Sequence, residues 1–522
     1  MSQVLRRKTT MGWGLVFWAC LLVSSGAGVW LLLRSTPLGV GLSWDSFTYI
    51  SSARGMLEGL GLARLTACGE LKPMTGYPPL YPLTLAVLEW AGLSAVRAAR
   101  GLSALSYGAT VFLAGILVRK LTRSTTAALL ASLIMLSSST ILAVYSWAWT
   151  EPAFVVLCLG CMLFLAEYLQ SERPWALLTS AACLSLAMFL RYAGLALFGA
   201  AAGVMAIHLW LAKAGGLRAR WAALAAYLIL AAGPLAVWMI RNLMLRGNPI
   251  NRHLEWHPLG SENLGQLART VGAWVLPASV NPLGQPVTRL ALDVSLASWI
   301  PPLLGFALLL AAVRIVRMCR LTRRLDLEAV LLAWIFIYLG FLAVSLVLFD
   351  PRIPLDDRIL SPAYASAVPL LAAGATGLWR TSRPALRGLV VAAALSLAGV
   401  QGIQIASTVQ VLRDDGQGYA ATRWRSSPVM EALREQKPAM VYTNEIPAVY
   451  FNAGLTACSI PVRGDKTALE KMRENLTSPE AVMVLFGRVS PEYVPEEDLV
   501  FGLQAALTVP WDGSVFSSAS GQ

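Results

Sequence analysis

Tyr77-Pro78-Pro79-Leu80-Tyr81-Pro82, with the apolar run that follows it to Trp90, is the stretch on which the topology of this chain turns. The run is apolar but short of the roughly 20 residues that a helix needs to cross a bilayer. Counted as a crossing, it would reverse the side of every later loop. Five arginines, Arg314, Arg317, Arg320, Arg323 and Arg324, would then lie outside, against the preference of basic loops for the cytoplasm. We therefore read residues 78–90 as an interfacial or re-entrant helix on the outer face.

The remainder of the chain fits that reading. Of 522 residues 56% are hydrophobic and only 14% charged, and the mean hydropathy is +0.60, too apolar for a soluble protein of this length. The 42 basic and 29 acidic residues give a formal charge of +13. The basic residues sit in short clusters between apolar runs, so no nucleic-acid partner is expected. Apolar runs place spans at about 12–33, 101–118, 125–147, 153–170, 175–190, 194–212, 221–240, 297–313, 327–349, 360–379 and 388–407, about 11 transmembrane helices in all. With Arg6-Arg7-Lys8 in the cytoplasm, Arg119/Lys120/Arg123, Arg173, Lys213/Arg218/Arg220, the five-arginine loop and Arg380/Arg383/Arg387 all fall on the same side. The first span is longer than a signal-peptide core and no A-x-A-like site follows it, so it is expected to stay as an anchor.

An odd number of spans puts the C-terminus outside. Residues 1–410 are expected to form the membrane domain, with outer loops 34–100 and 242–296, and residues 411–522 a small extracytoplasmic α/β domain. In the latter, Val441-Tyr442, Val449-Tyr450-Phe451 and Ala481-Val482-Met483-Val484-Leu485-Phe486 read as buried strands. Residues 242–296, rich in Asn, Pro and Gly and without a sustained period, read as a structured loop over the membrane mouth. The fold class is thus an all-α polytopic membrane protein with a small α/β domain. The spans carry almost no charge in their middles, where a transporter would be expected to hold ionisable residues. A site at the outer mouth follows, with Trp44-Asp45-Ser46-Phe47-Thr48-Tyr49 just past the first span.

Several segments, in their order, resemble the polyprenol-dependent GT-C glycosyltransferases. They are Asp45 followed four residues on by Tyr49, Ala53-Arg54-Gly55-Met56-Leu57, Tyr77 to Pro82, Trp149-Thr150-Glu151-Pro152, Arg191-Tyr192-Ala193-Gly194-Leu195, Arg241-Asn242 with Gly247-Asn248-Pro249, and Asp357-Arg358-Ile359-Leu360-Ser361-Pro362. The likeness, over roughly residues 10–380, is to the bacterial relatives of the protein O-mannosyltransferases and to the aminoarabinose transferases of lipid A, in the manner of glycosyltransferase family 39. It implies a GT-C-like fold and a polyprenyl-phosphate sugar donor. Two departures stand out. Lys72-Pro73 is separated from Pro78-Pro79 by four residues where the aminoarabinose transferases have a Lys directly before the pair, and Glu151 stands where many relatives have Asp.

A donor with its tail in the bilayer and its sugar at the interface needs an apolar groove, cations for phosphate and a carboxylate near the sugar. Asp45 and Glu151 are the candidate catalytic residues, Asp45 as the base that deprotonates an acceptor hydroxyl. Arg191, Arg241, Arg358 and Lys72 are the candidates for donor phosphate, since a guanidinium can hold two oxygens and stays charged. Tyr49, Tyr77 and Tyr81 are the candidate substrate contacts. Each has a structural rival. Asp45 can cap a helix starting near Phe47, Glu151 can serve a helix dipole, Arg191 and Arg241 can snorkel to head groups, and Arg358 can pair with Asp356 or Asp357.

His253-Leu254-Glu255-Trp256-His257 spaces two histidines four apart but lacks the metalloprotease order, so no residue is assigned to a metal. No cofactor follows from the residues, and a divalent metal stays open. Of seven cysteines, only Cys68 and Cys458 are expected outside, where they either form a disulfide or stay free thiols. The expected function is transfer, with inversion, of a hexosyl or pentosyl group to a lipid, polysaccharide or protein acceptor at the outer face of a bacterial plasma membrane. A lipid-linked glycan flippase or transporter, or a non-catalytic envelope-assembly subunit, is the alternative. Reporter fusions test the topology: an enzyme active only outside the cytoplasm should work when fused after Gln410 and stay silent after Arg320, and the opposite pattern would overturn the eleven-span arrangement.

Overall fold

The computed structural model describes residues 2–211, 217–258, 260–275, 279–280, 286–287, 291–322, 325–381 and 383–518. Lys213, Arg323 and Arg324 of the basic clusters lie outside the described residues, as do 259, 276–278, 281–285 and 288–290 of the segment 242–296. In chain order the first elements are α1 (Ser2–Ser35), α2 (Trp44–Leu57), β1 (Ala63–Leu65), β2 (Leu71–Pro73), α3 (Leu80–Trp90) and α4 (Ala95–Thr122). There follow α5 (Thr125–Leu136), α6 (Ser139–Tyr145), α7 (Glu151–Ser171), α8 (Pro174–Leu190), α9 (Gly194–Leu211), α10 (Leu217–Arg246) and α11 (Ser261–Ala273). After the short pair β3 (Ser279–Val280) and β4 (Pro286–Val287) come α12 (Ala291–Thr322), α13 (Leu327–Leu348), α14 (Asp357–Thr381) and α15 (Pro384–Asp414).

Each expected span falls on one of these helices, that at 125–147 on α5 and α6, which are bent by 52° at their junction. The bend has a local cause: Ser137 ends one helix and Ser138 caps the next, its hydroxyl accepting from the amide of Ile141. Among the described residues eight helices are long and apolar enough to cross a membrane, or nine with the bent pair, and α8 is a shorter apolar helix of 17 residues. The protein is a multi-pass membrane protein.

The chain's internal contacts divide it into two units, the first comprising residues 1–35, 75–84 and 99–410. Here the helices meet through small and polar side chains, as apolar helices in lipid must. At Gly108 of α4 a Cβ would stand 2.7 Å from the carbonyl oxygen of Ser25, so only glycine admits α1 this closely, and the Ser25 hydroxyl donates back to Gly108 O at 2.9 Å. Ser180 of α8 donates to Cys161 O on α7 at 3.0 Å and lies 3.1 Å from the Tyr227 hydroxyl on α10. The segment 242–296, expected to be a loop, contains α11, whose period is interrupted by Gly265 and Gly272 but which buries Thr270 and Val271. Gln401 and Gln404 of α15 donate to Trp274 O and Ala273 O at 2.8 and 3.1 Å, which fixes the end of α11.

The second unit comprises residues 36–74, 85–98 and 411–522. Its C-terminal part consists of α16 (Thr422–Arg425), α17 (Pro428–Gln436), β5 (Met440–Thr443), α18 (Ile446–Asn452), β6 (Cys458–Ser459), α19 (Lys466–Asn475), β7 (Ala481–Phe486), α20 (Glu496–Leu499), β8 (Leu503–Val509) and β9 (Gly513–Ser518). The strands form one sheet in the order β6-β5-β7-β9-β8, parallel among β6, β5 and β7 and antiparallel from β7 onward. β7 is buried throughout, as a central strand covered on both faces must be. Its alternate residues split the core: Val482, Val484 and Phe486 join Trp424, Val429 and Val449 on one side, and Ala481, Met483 and Leu485 join Met472 and Leu476 on the other. The segment Val449-Tyr450-Phe451, expected as a strand, lies in α18, which Pro447 opens at its first turn. Cys68, in the turn between the paired strands β1 and β2, is disulfide-bonded to Cys458. Thiol labelling of denatured, unreduced protein should leave both cysteines unmodified and label them only after reduction; labelling of both beforehand would contradict the bond.

Candidate functional site

Glu151 opens α7 and is 1% exposed, a depth at which a carboxylate must be paired. Two arginines supply the pairing. Arg191 Nη1 lies 2.5 Å from Glu151 Oε1, and Arg358 Nε donates to the same oxygen. Arg191 also donates to the hydroxyl of Thr150 at 2.8 Å, and that hydroxyl donates to Glu151 Oε2 at 3.3 Å. The Arg358 guanidinium stacks 4.2 Å over the ring of Trp149, which is itself stacked on Trp147 at 4.6 Å with the planes 4° apart. A simple helix-dipole reading of Glu151 does not describe these contacts.

Local sequence aims each side chain. Pro152 in the first turn of α7 needs no amide partner there and starts the helix at Glu151. Arg191 ends α8 in extended backbone, and the chain turns back at once into α9. At Gly194 a Cβ would stand 2.6 Å from Met188 Cα, so the tight reversal requires glycine. Arg358 lies in the first turn of α14, where Asp356 Oδ1 accepts from the amide of Ile359 at 3.1 Å and Asp357 Oδ1 accepts from the indole of Trp274 at 2.9 Å. Both aspartates therefore hold the start of the helix. Burial pushes the Asp356 carboxyl above the usual range and the charge of Glu151 adds to this, against the Ile359 amide and Arg358.

Arg241 stands in a neighbouring network of the same unit. Its Nη1 donates to Asn242 Oδ1 at 3.0 Å and its guanidinium covers Trp238 at 4.4 Å. Asn242, fully buried, donates to Thr75 O at 3.3 Å and Pro249 O at 3.1 Å. The Tyr192 hydroxyl also donates to Thr75 O, at 3.3 Å, and accepts from Trp238. The two networks are joined in sequence through Arg191-Tyr192. Thr75 begins the bend in which Tyr77 stands half-buried, ahead of α3. Tyr81 in α3 is buried, and burial, with the charge of Glu151 second, pushes its hydroxyl well above the ordinary phenol range.

Asp45, Tyr49 and Lys72 belong to the second unit. Asp45 is half-buried in the first turn of α2, but the cap of that helix is Ser43, whose hydroxyl accepts from the amide of Ser46 while the Ser46 hydroxyl accepts from the amide of Ser43. The cap expected at Asp45 is therefore taken. Tyr49, one turn on, is 3% exposed. Lys72 on β2 is half exposed and lies 3.1 Å from Glu70. The stretch around His253 and His257 is not helical, so their spacing makes no shared face; the amide of His257 donates to Val347 O at 2.7 Å. Among the described residues no three His, Cys, Asp or Glu side chains gather as for a metal. The residues that sequence reasoning left without a role are Thr150, Trp149, Trp274 and Asn242, and the first two flank Glu151 in the quoted motif.

Solved structures share this fold. ArnT from Cupriavidus metallidurans in the apo state matches with a TM-score of 0.54 and the same protein bound to undecaprenyl phosphate with 0.51, each over 98% of both chains at 14% identity. The fold is GT-C-like. No family model matches the chain, and no curated protein matches it. In this GT-C-like frame the Arg191–Glu151–Arg358 group carries a net single positive charge, held by the starts of α7 and α14 and the end of α8. Glu151→Ala would leave two guanidiniums together without their carboxylate and should cost about 3–5 kcal/mol of stability, the usual penalty for breaking a buried pair. Thermal unfolding of the purified protein checks this: a midpoint like that of wild type would show that the group is not a stabilising element.

Proposed function

We propose that the chain is an inverting membrane glycosyltransferase that moves one hexosyl or pentosyl group from a polyprenyl-phosphate donor to a lipid, polysaccharide or protein acceptor. The reading places the protein in a bacterial plasma membrane, with the N-terminus cytoplasmic and residues 411–522 extracytoplasmic. The observation that carries it is the pair of arginines converging on one buried carboxylate where three helix ends meet, in a fold shared with a solved structure bound to undecaprenyl phosphate. Two guanidiniums side by side suit a phosphate, and they keep their charge at any working pH.

In this mechanism Asp45 takes the proton of the acceptor hydroxyl, the acceptor oxygen forms a bond to the anomeric carbon from the side opposite the phosphate, and the carbon–oxygen bond to phosphate breaks. The bonding electrons leave with the phosphate, which departs as polyprenyl phosphate. Arg191 and Arg358 stabilise the charge that grows on it, with Arg241 and Lys72 as further donor contacts. Glu151 is assigned as a positioning residue that holds both guanidiniums, since its Oε1 is already engaged by them. Tyr49, Tyr77 and Tyr81 are assigned to the substrate.

Asp45→Asn tests the reading. With purified protein and polyprenyl-phosphate sugars, transfer should fall by about 10²-fold or more, as for loss of a general base, while donor binding stays. Near-normal turnover in this variant would remove Asp45 from the chemistry, and lipid movement without product would favour a flippase.

A further inference from the structure

We propose that the C-terminal α/β domain is the mount of the general base: α2, which carries Asp45, is built into that domain and takes both its place and its rotation from it. The inference rests on the assignment of Asp45 made above. All the contacts involved lie inside the second unit.

The hold begins before the helix. Leu42 pairs with Gly418 in a parallel bridge, and the amide of Tyr419 donates to Leu42 O at 2.9 Å, one residue ahead of the Ser43 cap. Phe47, 3% exposed, belongs to the same core as Val449, Val484 and Phe486 of the sheet domain. Its ring meets Tyr450 edge to face at 5.0 Å and Phe451 at 6.3 Å. One turn from the end of α2, Arg54 Nη1 donates to the Tyr450 hydroxyl at 2.9 Å. Beyond the helix, the amide of Cys68 donates to Ala457 O at 2.8 Å, beside the bond to Cys458.

These contacts fix more than location. Residues two apart on an α-helix lie about 200° around its axis, so seating Phe47 in the domain core turns Asp45 to the opposite face of α2. Loss of the seat would let the helix rotate, and a displacement of about 1 Å at a reacting group can cost about 10²-fold in rate. Phe47, Arg54, Tyr450 and Cys458 are accordingly positioning residues.

The test uses the full chain in nanodiscs. Amide hydrogen exchange across residues 44–57, kcat and the donor KM are measured for wild type, Tyr450→Ala, Tyr450→Phe and the milder Phe47→Leu. We expect Tyr450→Ala to speed exchange across 44–57 and to lower kcat about tenfold or more, with donor KM little changed. Phe47→Leu should do the same to a smaller degree, and Tyr450→Phe, which keeps the ring, should recover most of the rate. Unchanged exchange in both Tyr450→Ala and Phe47→Leu overturns the proposal, as does faster exchange with unchanged kcat. Wild type that transfers no sugar, while Tyr450→Ala still loosens 44–57, overturns the transferase reading and leaves the mounting of α2 standing.

Discussion

A buried carboxylate needs partners, and in this protein the need of Glu151 fixes three helix ends at once. Removing such a group from water costs several kcal/mol unless cations replace the lost hydration. Arg191 and Arg358 are those cations. The start of α7, the end of α8 and the start of α14 must therefore arrive together, and smaller features serve that meeting: Pro152 sets the first turn, Gly194 permits the reversal after Arg191, and Asp356 and Asp357 pin the backbone that carries Arg358. No one charge of the three can be withdrawn without leaving the others wrongly balanced. That is a reason for a stable arrangement.

The helices were legible in the sequence because a bilayer imposes a length and a polarity that no tertiary contact overrides. The bend between α5 and α6 was not, since Ser137-Ser138 interrupts an apolar run only by capping it. The site was half legible. The residues of the candidate site stood in the quoted motifs, but Arg358 sits beside two aspartates in sequence and nothing local tells that it also reaches Glu151, 207 residues away. Val449-Tyr450-Phe451 has the composition of a strand, yet Pro447 and the seating of Phe47 make it a helix, an instance of packing outweighing propensity. The rival reading of Asp45 as a cap was open because Ser and Asp are equally good caps, and the reciprocal Ser43–Ser46 pair decided between them.

The C-terminal sheet shows the same dependence on distant sequence. Its two buried faces draw on residues from 424 to 515 and, on one side, on Phe47 from the first segment between spans. A domain boundary drawn at a single point of the chain would cut through that core. The unit is contiguous in space and broken into three pieces in sequence.

The disulfide adds a matter of timing. A ribosome delivers the chain from its N-terminus, and Cys68 precedes Cys458 by 390 residues, so at the usual rate of roughly 5–20 residues per second the first thiol waits roughly 20–80 s for the second. Throughout that wait Phe47 has no core to enter and Cys68 no partner to oxidise with, while helix after helix is threaded into the bilayer. The first segment between spans is thus among the last to mature, and a nascent chain abandoned anywhere before Cys458 carries Cys68 as an unpaired thiol that marks it as unfinished.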